Sequence, residues 1–308
     1  MSRITGKALR TVGTRLVGTG AAALLVVTSV FVVSSAASAA GTLKPRPVTD
    51  TTFLLAVGAS VSVGVQPTVR HAHGQPTRKG YANDLIAMQA AKGTRLALTQ
   101  TGCPGDSTQQ VLYGGDHCYA PGDSQLLRDV AFLRSHQNQE GVVTIDLGFN
   151  DLHGCLFHQV VDMTCVNQRM SLLSIQLPQI ITALKAAAGP QVKFVGLNHY
   201  NPYLASALSG PTGKAFADAS VPVIDLLNST LETVYAQNAI PVADVAGRFH
   251  TSDTTPVTIS GLGTVTENLA QVCDLTWMCQ APPYGPNMHP NDQGYQTIAD
   301  AIDAVLPA

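Results

Sequence analysis

The chain has 308 residues, 45% of them hydrophobic and 12% charged, with 18 Lys and Arg against 20 Asp and Glu and a formal net charge of −2. Such a length holds one large domain with a sizeable core, and so low a charged fraction excludes a disordered, highly charged chain. The slightly acidic balance is the wrong sign for a nucleic-acid or anionic-membrane partner.

Residues 1–39 do not read as part of a fold. Arg3, Lys7, Arg10 and Arg15 make a basic start without an acid, and Ala21 to Val33 is apolar but short for a bilayer span. Ala37-Ser38-Ala39 then has the small-x-small pattern of an export cleavage site. The expectation is a signal peptide over 1–39 and a single domain over 40–308, secreted or held in the cell envelope as a monomer with no membrane span after processing. An uncleaved amino-terminal anchor is the competing reading. The exported part keeps 14 of the basic residues and all 20 acids, a net charge of about −6 with His neutral.

The first element, Phe53-Leu54-Leu55-Ala56-Val57, is apolar without alternation, which suits a strand covered on both faces. It ends at Gly58 and delivers Ser60 at its carboxyl end, where open α/β sheets bind ligands. Further along, Tyr81 to Ala91 reads as a helix, Arg95 to Leu98 as a strand, Ser124 to Ser135 as a helix and Val142 to Leu147 as a strand. A helix from Val166 to Ala188, bent or broken at Pro178, precedes a strand at Val192 to Leu197. A helix at Ile224 to Gln237, a short strand at Pro241 to Val245 and a helix at Asp292 to Val305 close the pattern. Alternating strands and helices predict an α/β fold, a three-layer α/β/α sandwich with a central parallel sheet. Stretches 113–123, 200–213 and 250–290 read as surface loops.

Six cysteines, at 103, 118, 155, 165, 273 and 279, all lie in the exported part, and an even count there argues for disulfides. Many connectivities are open. The local set Cys103–Cys118, Cys155–Cys165 and Cys273–Cys279 is favoured because each bond clips a loop. A zinc site competes weakly, since no C-x-x-C pair with matching His spacing occurs. His71-Ala72-His73 lacks an evident third ligand.

Three later stretches carry what a serine nucleophile needs. Gly102-Cys103-Pro104-Gly105-Asp106-Ser107-Thr108 offers a backbone N–H at Gly105, Gly148-Phe149-Asn150-Asp151 offers the Asn150 amide, and His289-Pro290-Asn291 offers a base. Singly, each has an ordinary reading: Ser60 and Asn150 as caps, Gly105 as a turn residue, His289 as a loop histidine. Their joint order at strand ends is harder to obtain by chance.

In these stretches the chain resembles the SGNH or GDSL-type hydrolases, in particular secreted actinobacterial esterases and lipases. The G-D-S-x-S-x-G block of that family is matched by Gly58 to Gly64 with Ala59 in place of the aspartate. The glycine of its second block falls at Gly105, its G-x-N-D block at Gly148, Asn150 and Asp151, and its D-x-x-H-P block at His289 and Pro290 only. The resemblance implies a flavodoxin-like hydrolase fold and a secreted serine esterase or lipase acting on a small-molecule ester or lipid without a cofactor or metal. It further implies Ser60 as nucleophile, His289 as base, and an oxyanion hole of Ser60, Gly105 and Asn150. Pro286 stands where the family places the acid, so a backbone carbonyl of Pro286 is the expected histidine orienter, with Asp274 and Asp292 at the wrong offset. The alternatives are a weakly active or non-catalytic binding member of the fold, or a carbohydrate deacetylase or acyltransferase.

Overall fold

The computed structural model describes residues 52–306, so the expected export segment lies outside the described residues. Its centre is a sheet of five strands, β1 Thr52–Gly58, β2 Leu96–Gln100, β3 Gly141–Asp146, β4 Val192–Leu197 and β5 Val242–Ala243. They lie in the order β2-β1-β3-β4-β5, with every neighbouring pair parallel. This is the flavodoxin-like order, whose direction of winding reverses between β1 and β3; the crevice there is where such sheets bind ligands.

The unbroken apolar run of β1 follows from burial on both faces. Phe53, Leu55 and Val57 join one core cluster and Leu54 and Ala56 the other, as strand alternation requires. Helices α1 Tyr81–Ala91 and α9 Asp292–Asp303 cover the second face. The first face is covered by α2 Thr108–Tyr113, α3 Gln125–Ser135, α5 Met163–Ala187 and α6 Pro211–Gln237. Short helices α4 Phe149–His153, α7 Val245–Arg248 and α8 Glu267–Leu275 follow β3, β5 and a hairpin at Pro256–Ile259 and Gly263–Thr266.

Several elements differ from expectation. Helix α5 runs unbroken through Pro178. A mid-helix proline costs about 3 kcal/mol, whereas burying a large apolar side chain contributes ~1.5–3 kcal/mol, and Leu177, Ile180 and Ile181 beside it are all fully buried. Helix α6 likewise begins at Pro211 and passes through Pro222. The expected loop 200–213 contains a 3-10 turn at Pro202–Ser209, and 250–290 holds a hairpin and α8. Strand β2 extends to Gln100 because Thr99 and Gln100 still pair with Leu55 and Ala56.

The sulfurs of Cys103 and Cys118, Cys155 and Cys165, and Cys273 and Cys279 lie at disulfide distance, with Cα separations of 6.0, 5.5 and 5.0 Å. Among the described residues no helix is long and apolar enough to cross a membrane.

Candidate active site

The loops leaving β1 and β3 meet at the winding reversal, and a small cavity opens between them. Ser60, Asp106, Asp146, Phe149, Asn150, His199 and His289 all contribute to its wall. It therefore joins residues more than 200 positions apart in the chain.

Ser60 sits on a turn held from several sides. The Val65 N–H donates to the Ser60 carbonyl at 3.0 Å, and the Ser62 hydroxyl to the Ala59 carbonyl at 2.7 Å. Buried Gln125 of α3 donates to the Gly58 carbonyl at 2.8 Å, and Gln100 of β2 to the Ser62 carbonyl at 2.7 Å. Gly58 is needed for close approach: a Cβ there would lie 2.6 Å from the Asp146 carbonyl oxygen and 2.9 Å from the Ser62 Cβ. The Ser60 side chain itself makes no hydrogen bond to His289 among the described residues.

Asn150 is the second residue of α4, which Gly148 starts at φ +112°, a backbone angle that favours glycine. Its Nδ2 donates to the Asp106 carbonyl at 3.1 Å, tying the loop after β3 to the loop that carries Gly105. One residue on, buried Asp151 accepts from the Thr108 N–H at 3.1 Å and the Thr108 hydroxyl at 2.6 Å, a second tie between the same loops. Gly105, at φ +94°, is exposed with open space where a Cβ would stand, so its backbone angle is what requires glycine. It stands beside Asp106 but is not itself in the cavity wall. Burial, followed by the neighbouring Asp116, pushes the Asp106 carboxyl up to about 7.

His289 lies on a short strand, Asn287–Pro290, paired with Thr276–Trp277. Its Nδ1 is 2.7 Å from Asn287 Oδ1, which also accepts the His289 backbone N–H at 3.0 Å. The Asn287 Nδ2 donates to the Ala72 carbonyl at 3.1 Å. These contacts settle the protonation pattern. A backbone N–H can only donate, so the amide oxygen faces it, and the imidazole Nδ1 on the same oxygen must carry a proton. Nε2 is then the free base. Burial, with His153 adding to it, pushes the His289 imidazole down to about 4, so the ring is neutral at neutral pH.

The expected orienter at Pro286 is thereby corrected: the partner of Nδ1 is the side chain of Asn287, two residues before the histidine. An amide side chain reaches back along the strand to a ring that the main chain of Pro286 does not serve. Asp274 is turned away, its carboxylate accepting from Gln293 at 3.2 Å, and Asp292 pairs with Lys79 at 2.8 Å. The N-x-H spacing was the available signal.

Two further groups in the wall had no sequence motif to mark them. Asp146 ends β3 and is buried, its carboxyl raised by that burial and drawn back by His199 and the Ser62 N–H. His199 Nδ1 lies 3.7 Å from Asp146, with Nε2 3.1 Å from the Leu147 carbonyl. The acid at the end of the strand Gly141–Asp146 is visible in the sequence, but nothing there points to His199 as its neighbour.

His71 and His73 are exposed on the strand His71–Gln75, whose part in the site is the Ala72 carbonyl. Ligand atoms of Cys103, Asp116, His117 and Cys118 lie within 4.8 Å of one another, but the two sulfurs are joined and offer no thiolate.

The sequence model of the GDSL-like lipase/acylhydrolase family matches residues 56–297. The extracellular lipase of Streptomyces rimosus is similar in structure, with a TM-score of 0.54 at 18% identity over 83% of this chain and 100% of that one. Phospholipase A1 of Streptomyces albidoflavus gives 0.51 at 17% identity over 82% and 99%. Comparison with curated proteins finds no match. At these identities the structural likeness speaks for the fold, and the family match for the kind of chemistry.

Proposed function

Because the chain belongs to the GDSL-like lipase/acylhydrolase family, a family of carboxylic ester hydrolases, we propose that it cleaves esters through a Ser60–His289 dyad and an acyl-enzyme. The observation that carries this reading is the placement of Ser60, Asn150 and His289 in one cavity wall. The His289 Nδ1 proton is committed to Asn287 in the same site.

Ser60 Oγ attacks the acyl carbonyl while His289 Nε2 takes its proton. The developing oxyanion is met by the N–H groups of Ser60 and Gly105 and by the Asn150 amide, donors of the kind that contribute most to such reactions. Collapse breaks the ester C–O bond, and His289 returns the proton to the leaving alcohol. Water then attacks the acyl-Ser60 bond by the same route, giving the acid and restoring the serine. Asn287 holds the ring in its working tautomer without supplying a charge. Export to an oxidising compartment belongs to the same reading, supported by the three cystine pairs.

The test is labelling with a fluorophosphonate, together with release of p-nitrophenol from a short ester. Wild-type protein is expected to label and to turn over, and Ser60→Ala to do neither while keeping its fold. Turnover by Ser60→Ala near the wild-type rate would overturn the assignment.

A further inference from the structure

The cavity beside Ser60 is small, and an aromatic side chain stands in its wall. Its volume is about 40 Å³, space for about three water molecules. Phe149, the variable position of the Gly148-Phe149-Asn150-Asp151 stretch, stands in its wall next to the Asn150 donor.

The ring is not free to swing aside. It lies near-parallel to Tyr203 at 5.8 Å between centroids and to His153, one helical turn on, at 6.1 Å. His153 Nδ1 and the Tyr203 hydroxyl are 2.9 Å apart, and Tyr203 in turn packs edge-on against Phe216 of α6 at 5.6 Å. On its other side Phe149 meets His199 at 5.9 Å. An aromatic wall tied into the core by both packing and a hydrogen bond keeps its shape when a ligand enters.

We propose that Phe149, braced by His153 and Tyr203, sets the length of the acyl group and makes the substrates esters of short acyl chains, from acetyl to about butyryl. This rests on the ester-hydrolase reading above. The alcohol departs in the first half of the reaction, but the acyl group stays on Ser60 through both halves, so the space beside Ser60 must accept it. So small a space suits a short acyl group, and an octanoyl chain would have to reach beyond it. Each methylene that fits or fails to fit an apolar pocket changes kcat/KM by about tenfold or more. With Phe149 cut back to alanine, the space of a phenyl ring opens beside His199, enough for several methylenes.

The measurement is kcat/KM for p-nitrophenyl acetate, butyrate and octanoate with wild type, Phe149→Ala and Phe149→Leu, the octanoate-to-acetate ratio being taken within each variant. The wild-type ratio is expected below about 0.1, and Phe149→Ala should raise it at least about tenfold, with Phe149→Leu between. Inactivation by ethyl and octyl fluorophosphonates should shift in the same sense without reliance on turnover. If Phe149→Ala fails to fold, Phe149→Leu alone must still raise the ratio. Acetate cleavage with an unchanged ratio, or a wild type that prefers octanoate, overturns the gate and leaves the hydrolase reading standing. Absence of both turnover and labelling on every ester and probe overturns both.

Discussion

Asn287 Oδ1 accepts both from His289 Nδ1 at 2.7 Å and from the His289 backbone N–H at 3.0 Å. A single amide oxygen thus fixes the ring twice, through the imidazole and through the main chain that bears it. In a serine triad this place belongs to a carboxylate, which orients the ring and also stabilises the imidazolium. Asparagine supplies the orientation alone.

Replacing Asn287 with alanine should therefore lower kcat by about 10²-fold or more, since the tautomer is no longer held. Asn287→Asp should do the opposite for the charge. Hydrogen bonds to charged groups contribute ~1.5–3 kcal/mol against about 1 for neutral ones, so kcat should rise by roughly tenfold. The acid limb of the pH–rate profile should climb from near 4 as the carboxylate favours the protonated ring. The introduced carboxylate would also face the Ala72 carbonyl that the Asn287 amide now serves, so some thermal stability is expected to be lost. Turnover of Asn287→Ala within about threefold of wild type would show that another group orients His289.

Much of the architecture was readable from the chain because burial wrote it there. The run Phe53 to Val57 has no polar residue since it feeds two cores, and Gly58, Gly148 and Asn150 stand at strand ends in family order. What the sequence hid was contact across long separations. Asn287 looks like an ordinary loop residue until Ala72, 215 positions away, is seen to hold its amide. Pro178 misled for a related reason, since local propensity argues for a break and only tertiary burial shows why the helix continues. The pairing of Asp146 with His199 has no spacing rule that could have announced it.

Buried carboxyls make the fold sensitive to pH in a direction that can be fixed. Burial pushes Asp129 up to about 8, against the bond it accepts from the Thr101 hydroxyl at 2.6 Å. The folded state keeps a proton that the unfolded chain sheds near pH 4, so stability from this group is greatest below about pH 4 and falls as pH rises toward 8. His289, lowered to about 4, acts the other way and removes stability as pH falls from about 6.5 to 4. Asp129→Asn keeps an acceptor for Thr101 and has no charge to bury. Its stability relative to wild type, measured by urea unfolding, should improve by about 1–3 kcal/mol between pH 4 and pH 8. An equal difference at both pH values would show that Asp129 does not titrate across this window.

The Cys155–Cys165 bond closes the short hairpin that follows α4. In the chain-entropy model a loop of this size contributes ~2–3 kcal/mol. The double variant Cys155→Ser and Cys165→Ser should unfold at correspondingly lower urea. Because Asp151 and Asn150 are tied to the opposite loop rather than to the hairpin, turnover at low temperature should change by less than about tenfold. Collapse of kcat with stability unchanged would mean that the hairpin, and not the loop ties, positions α4.

Asn150 provides the sharpest separation of binding from catalysis. Its Nδ2 reaches the Asp106 carbonyl at 3.1 Å, which uses one amide hydrogen and leaves the other for an oxyanion. A donor aimed at charge that develops only in the transition state should act on kcat and leave KM nearly alone. Asn150→Ala is thus expected to lower kcat by about 10²–10³-fold, or ~3–4 kcal/mol. Asn150→Asp preserves the shape but exchanges donors for a charge that opposes both the Asp106 carbonyl and the oxyanion, so above the carboxylate pKa it should be slower than alanine. Lowering the pH to protonate the new carboxyl should recover part of the loss, because the neutral acid can donate once more. A steady-state comparison of wild type, Asn150→Ala and Asn150→Asp across about pH 4 to 8 decides it. If KM rises and kcat holds in Asn150→Ala, the amide positions substrate and the oxyanion is met by the backbone of Ser60 and Gly105 alone.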